Sequence, residues 1–172
     1  ALHPGQKGYS EEEYQRAVSM ADFGDSAVRE RDAAAGGGSS ENPVGSRHWQ
    51  LASVVDYFGT YDHPKPGTFF GNPELCAYDM RDPAKTNLFY WKKIVIAATY
   101  AEIKQVDKQC PGGHEHTQIR GAVKGPDGKW VGRGKLSGAY TLRLGLEWGR
   151  LVAEAALRLA AGGAEACAAR EV

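Results

Sequence analysis

The residues best suited to chemistry lie in one short run, Cys110-Pro111-Gly112-Gly113-His114-Glu115-His116. In an extended segment the side-chain period is two, so His114 and His116 project from the same side. The Pro-Gly-Gly turn lets Cys110 fold back toward the two imidazoles. One thiolate and two imidazoles suit zinc. A structural site needs a fourth ligand, and Cys76 is the natural choice, with His48 and His63 as alternatives. Water in the fourth position would instead make the site catalytic in type. Glu115 points to the opposite face, which makes it a poor general base for the same metal. The competing reading needs no ion. His-x-His also occurs on exposed strands, a cysteine after a helix is often just buried, and paired Cys-x-x-Cys knuckles are absent.

Other constellations carry less. Glu41-Asn42-Pro43 follows a glycine run and would place a carboxylate at the C-terminal end of a strand, where open α/β sheets bind ligands. Arg47 and His48 come close behind and suit contact with an anion. Lys92 and Lys93 alternate in and out on an expected strand, so at least one belongs to the surface. Arg47, Lys92 and Lys93 are the residues expected to face nucleic acid. Gly36-Gly37-Gly38-Ser39-Ser40 is no phosphate loop, because it lacks the closing Lys-Ser/Thr and follows a helix rather than a strand. Neither Gly-x-Ser-x-Gly nor His-Glu-x-x-His occurs, and no complete nucleophilic triad emerges.

The elements that must hold these residues follow from periodicity. Tyr14, Ala17, Val18, Ala21 and Val28 recur at helical spacing, which predicts a helix over 11–35 that Gly24 could interrupt. A second helix is expected over 47–58, with Trp49, Ala52, Val55 and Phe58 on one face. Strands are expected over 68–70, 75–80, 88–99 and 114–123, with a turn at 81–85 and a short helix over 100–109. Leu142, Leu146, Leu151 and Leu157 punctuate a long Ala-rich helical pattern over 136–161. Residues 1–9 and 162–172 read as flexible tails around a single α/β domain over 10–161.

Composition bounds the rest. A chain of 172 residues that is 42% hydrophobic suits one domain with one core. Lys and Arg number 21 and so do Asp and Glu, which argues against a surface devoted wholly to nucleic acid but leaves room for a local basic patch. No apolar run is long enough to span a bilayer. Three cysteines are not a disulfide framework, and they point to reduced thiols in an intracellular protein, cytoplasmic or nuclear. The missing initiator Met is expected of a chain that is processed, excised or truncated.

Several segments, taken in order, carry a resemblance. They are Gly37-Gly38-x-x-Glu41-Asn42-Pro43-x-x-Ser46-x-x-Trp49, Cys76-Ala77-Tyr78, Trp91-Lys92-x-Ile94 through Ala98-Thr99, Cys110-x-x-x-His114-Glu115-His116 with Gly121, and Ala139-Tyr140-Thr141. This order resembles the C-terminal half of DNA (cytosine-5) methyltransferase-like proteins of phages and mobile elements, over most of residues 27–152. The resemblance implies an α/β fold: a partial Rossmann-like methyltransferase sheet with flanking helices and a long C-terminal helix. It implies a catalytic role for Glu41, beside a flipped cytosine whose ring it helps protonate. Cys76-Ala77-Tyr78 would be a core strand near that site. Two of the family's features are absent: the Gly-rich methyl-donor loop and the Pro-Cys nucleophile, since Cys110-Pro111 reverses that order. Ser39-Ser40 replace expected apolar residues, and Asp79 stands where Gly is common. S-adenosylmethionine would therefore bind only if a missing N-terminal half were supplied, and the implied function is a DNA-associated fragment inactive alone. The other expectation is of a different class: a zinc-stabilised, non-catalytic interaction module built on Cys76, Cys110, His114 and His116.

Overall fold

Five consecutive small or β-branched apolar residues, Ile94–Ala98, organise the chain (β5). All five are buried, as expected of a central strand covered on both faces. The computed structural model describes residues 10–34, 36–124 and 128–168. In it β5 is flanked by Ser39–Pro43 (β1) and Phe69–Gly71 (β2), both antiparallel to it, with Glu41 and Gly71 opposite Ile96. The chain is thus mixed helix and strand. The strand sense differs from the parallel, doubly wound sheet that the resemblance implies.

Alternation along β5 assigns the two layers. Ile94, Ile96 and Ala98 join Tyr78, Tyr90, Tyr100, Ile103, Leu144 and Leu151 in the larger core. Ala97 faces the other way, with Val54, Phe58 and, at its edge, Val28 and Trp49. The first layer is closed by the long C-terminal helix, Leu142–Ala168. Its buried Leu144, Leu151 and Ala155, with the partly buried Trp148, recur every three or four residues. The second layer is closed by α1 (Glu11–Ala33) and α2 (Ala52–Phe58). Gly38 lets α1 approach β1, since a Cβ there would meet Val28 Cγ1 at 2.7 Å.

A smaller sheet carries the chemistry. Arg81–Asp82 (β3) and Lys85–Tyr90 (β4) form a hairpin, and His116–Thr117 (β6) runs parallel to β4, with Phe89 opposite His116. Ala122–Lys124 (β7) and Trp130–Gly132 (β8) form a separate hairpin. It leads into the short helix Arg133–Leu136 (α3), so the C-terminal helix is α4.

Several expectations are corrected. Residues 75–80 are no strand: Leu75–Tyr78 is a 3-10 turn ending in Asp79, whose φ of 64° is left-handed. That conformation suits glycine, which is why Asp79 is the unusual residue here. The expected strand over 88–99 is two strands, broken at Trp91–Lys93, because the chain leaves one sheet and enters the other. The expected helix over 47–58 is a 3-10 turn, Arg47–Gln50, then α2, divided at extended Leu51. The strand expected over 114–123 shrinks to β6 and β7, and the turn at 81–85 belongs to the β3–β4 hairpin. The 100–109 helix is a 3-10 segment, Ala101–Val106. Gly24 does not interrupt α1. The C-terminal helix begins at Leu142 rather than 136 and runs through the expected tail to Ala168. Of its expected leucines only Leu151 is buried, while Leu142, Leu146 and Leu157 are exposed. The expected tail over 1–9, Ala35, and residues 169–172 lie outside the described residues.

Candidate metal centre

Cys76 sits on the 3-10 turn before β3, in the wall of the main core, only 6% exposed. Cys110 follows the Ala101–Val106 segment in an extended loop. Gly112 and Gly113 both take left-handed φ, 72° and 74°, which reverses the chain and returns His114 and His116 to the sulfur. The four ligand atoms of Cys76, Cys110, His114 and His116 lie within 4.8 Å of one another. Cys110 Sγ is 3.5 Å from His114 Nε2 and 3.7 Å from His116 Nε2, and the two Nε2 atoms are 3.1 Å apart. Tetrahedral zinc, with bonds of about 2.3 Å to sulfur and about 2.0–2.1 Å to nitrogen, places S···N pairs about 3.6 Å apart and N···N pairs about 3.3 Å apart. The separations among Cys110, His114 and His116 match those edges, and Cys76 stands farther off, the four atoms spanning up to 4.8 Å. Two imidazole Nε2 atoms at such a distance are poor company unless a proton or a cation lies between them.

The surroundings hold this arrangement. Phe89 packs on the His114 ring at 4.1 Å between centroids, and Trp91 on the His116 ring at 5.7 Å. Both come from β4 and its end, so the parallel pairing of β4 and β6 sets both imidazoles. The Gly112 amide donates to Cys110 Sγ at 3.4 Å. The Cys110 amide donates to Glu74 Oε2 at 2.7 Å, and the other Glu74 oxygen is paired with Lys93. Those contacts hold the Glu74 carboxyl below its usual value, the Lys93 contact foremost. Burial pushes the Cys76 thiol up to about 11, with Cys110 adding to the shift. Only a cation beside it would favour its thiolate at neutral pH.

No family model, no curated protein and no solved structure matches the chain. The site must be read from its own chemistry.

The four residues expected as ligands therefore meet, Cys76 among them. The alternatives lie elsewhere: His63 is in an exposed loop, and His48 packs against α1. The residues expected to face nucleic acid do not share a surface. Lys93 is paired with Glu74. Lys92 donates to the Ser137 carbonyl at 2.7 Å and lies over the Tyr140 ring, 5.3 Å from its centroid. Arg47 lines a cavity between α1 and β1. Glu41 is not at the end of its strand but in the middle, with one carboxylate oxygen buried and lacking a hydrogen-bond partner. Burial raises its pKa against the opposing effects of Tyr140 and Lys92. Desolvation lowers that of Lys92.

Two features escaped the sequence reading. One is the charge division. Residues 81–143 carry twelve Lys and Arg against five Asp and Glu, whereas residues 10–80 carry five against twelve. A windowed count would have found it where the total of zero concealed it. The other is Asp25, which is 1% exposed among the apolar positions of α1. Its place on the helical stripe between Ala21 and Val28 was the available signal. Asp25, His48 and Ser40 are close, but they are not a nucleophilic triad. Ser40 Oγ is 2.9 Å from His48 Nε2, and Asp25 Oδ1 approaches that same nitrogen at 3.7 Å. The carboxylate of a triad must instead hold Nδ1.

Among the described residues no helix is long and apolar enough to cross a membrane.

Proposed function

We propose that this chain is a zinc-stabilised, non-catalytic module that engages single-stranded nucleic acid through the lobe the metal organises. The observation that carries the reading is the set of distances among Cys110 Sγ, His114 Nε2 and His116 Nε2, which fit three corners of a tetrahedral site, with Cys76 close enough to supply the fourth. Four protein ligands leave no open position for substrate or water, which favours a structural metal.

The partner follows from what surrounds the site. Trp91 is 66% exposed and borders a hollow with Gln118, Ile119 and Arg120. The chain continues from there into the β7–β8 hairpin, where Trp130 is 70% exposed and Lys124 lies over its ring. Exposed rings interleaved with cations, in a segment of strong positive excess, suit bases that stack and phosphates that pair. The methyltransferase-like reading stands second. It would need Glu41 to meet a flipped base, whereas its carboxyl is under the influence of Tyr140 and Lys92 inside the fold.

Elemental mass spectrometry of the purified chain tests the metal: one zinc per chain is expected, lost in Cys110→Ala. Fluorescence anisotropy with a labelled single-stranded oligonucleotide of about 12 nucleotides, within the range of such sites, tests the partner. Binding should weaken steeply between about 50 and 200 mM salt. Trp91→Ala should weaken it several-fold at either salt. Binding that ignores salt and Trp91 would refute the nucleic-acid reading while leaving the metal standing.

A further inference from the structure

A cavity of about 520 Å³ lies between α1 and the segment from β1 to Leu51. It contains a cost that the fold does not offset. The Asp25 carboxylate, at 2% side-chain exposure, and the His48 ring, at 8%, both line it. Neither Asp25 oxygen and not His48 Nδ1 has a hydrogen-bond partner. Buried polar groups are normally satisfied, and a buried carboxylate without donors is costly. Ser40 and the distant His48 Nε2 temper this charge, but they give neither oxygen a hydrogen bond of good geometry.

The unmet atoms share one chemical character. His48 Nε2 meets Ser40 Oγ and faces Asp25, so it is the nitrogen placed to carry the proton. Nδ1 is then an acceptor, as are both Asp25 oxygens. These three unmatched acceptors sit in a cavity lined also by the apolar Ala17, Val18, Ala21 and Leu51 and by the polar Asn42, Ser46 and Arg47. We propose that this cavity is a binding site for a small molecule with a flat apolar body and an amidine-type edge, two parallel N–H donors that pair with the Asp25 carboxylate. Bidentate pairing of that kind is the strongest match available to a lone carboxylate. The apolar body would lie along the Ala17–Ala21 face of α1. Burial keeps the pKa of Asp25 raised and that of His48 lowered in the absence of ligand. The site is separate from the four metal ligands and stands whether or not zinc binds them.

Benzamidine has the proposed shape, and benzyl alcohol has the same ring without the paired donors. Calorimetric titration of the full chain should give one benzamidine site, with benzyl alcohol at least tenfold weaker. Asp25→Asn should weaken benzamidine at least tenfold while its melting temperature stays level or rises, because the substitution removes a buried carboxyl whose oxygens have no partner. Ala21→Phe keeps Asp25 but fills the space one helical turn away, and should abolish binding. Failure of the wild-type chain to bind benzamidine would overturn the proposal, as would equal affinity for the two probes or undiminished binding by Ala21→Phe. A lowered melting temperature in Asp25→Asn would also overturn it, since that would mark Asp25 as a residue with structural partners.

Discussion

Removing zinc should lower the melting temperature by far more than the cluster's own hydrogen bonds could explain. The ligands come from three separate stretches, at 76, 110 and 114–116. Unfolding disperses them, so the assembled site binds metal and the unfolded chain does so poorly. With free zinc about a thousandfold above the dissociation constant, mass action stabilises the fold by about 4 kcal/mol. In a chain of this size each kcal/mol moves the midpoint by about 2–4 °C, so a strong chelator should lower it by about 8–16 °C. Without a metal the cluster holds only thiol–imidazole contacts, worth about 1 kcal/mol each. Cys110→Ala would then cost only a few degrees and chelator nothing. Thermal unfolding followed by circular dichroism, with and without chelator, separates the two cases. His116→Ala should reproduce the chelated melt and become insensitive to further chelator. A wild-type melt unchanged by chelator, in a sample that contains no zinc, would refute the reasoning.

Three further outcomes follow from other parts of the fold. Asp82 is fully buried and receives Arg133 Nε at 3.0 Å and the Ala84 amide at 3.0 Å, with the Tyr90 hydroxyl at 3.3 Å. Arg133→Met should destabilise by about 3 kcal/mol, because it leaves a buried charge without its cation; a loss below about 1 kcal/mol in denaturant unfolding would show that the remaining donors suffice. Asp79→Gly should stabilise by up to about 1 kcal/mol by relieving the left-handed backbone, less whatever the ion pair with Arg81 contributes. The third outcome concerns pH. Burial raises the Glu41 pKa above 4.5, so the folded state holds its proton more tightly than the unfolded state. That contribution is complete below pH 4.5 and is lost as pH rises through the folded value. Glu41→Gln should therefore flatten the decline in stability above pH 4.5, and a mutant pH profile parallel to wild type would contradict it.

Local signals in the sequence were legible where the physics is local. The glycine pair at 112 and 113 required a reversal, and His114 and His116 converge as a period of two demands. The helix over 11–33 appears because apolar residues recur at helical spacing. Strand sense and partner were not legible, since an apolar run such as Ile94–Ala98 looks the same in a parallel or an antiparallel sheet. Cys76 is expected on a strand and reaches the cluster from a 3-10 turn instead. What matters to the metal is where its sulfur arrives, and a 3-10 turn delivers it as well as a strand would. Asp25 was passed over because sequence alone does not show that a polar residue on an otherwise apolar stripe is buried.

A metal at the cluster would also resolve a problem that the fold poses by itself. Between Asp107 and Gly121 no residue is buried, and the regular structure there amounts to the two residues of β6. Apolar burial is the main term that fixes a chain segment against its conformational entropy, which costs about 1–2 kcal/mol per residue for the backbone alone. Besides the cluster, the stretch is held by partial packing of Ile119 on the core, two ring contacts on His114 and His116, and hydrogen bonds such as those joining Cys110 to Glu74 and Phe89 to Glu115. Yet the same stretch positions Trp91's neighbours and leads into the hairpin that carries Trp130. A tetrahedral ion bound by three residues within the stretch, Cys110, His114 and His116, and by Cys76 from the core wall would tie it at both its bend and its strand. The loss of zinc should then appear first as exchange of amide protons in residues 107–121, with the β5 amides still protected. Loss of protection in β5 at the same rate would mean that the segment folds with the core and needs no ion.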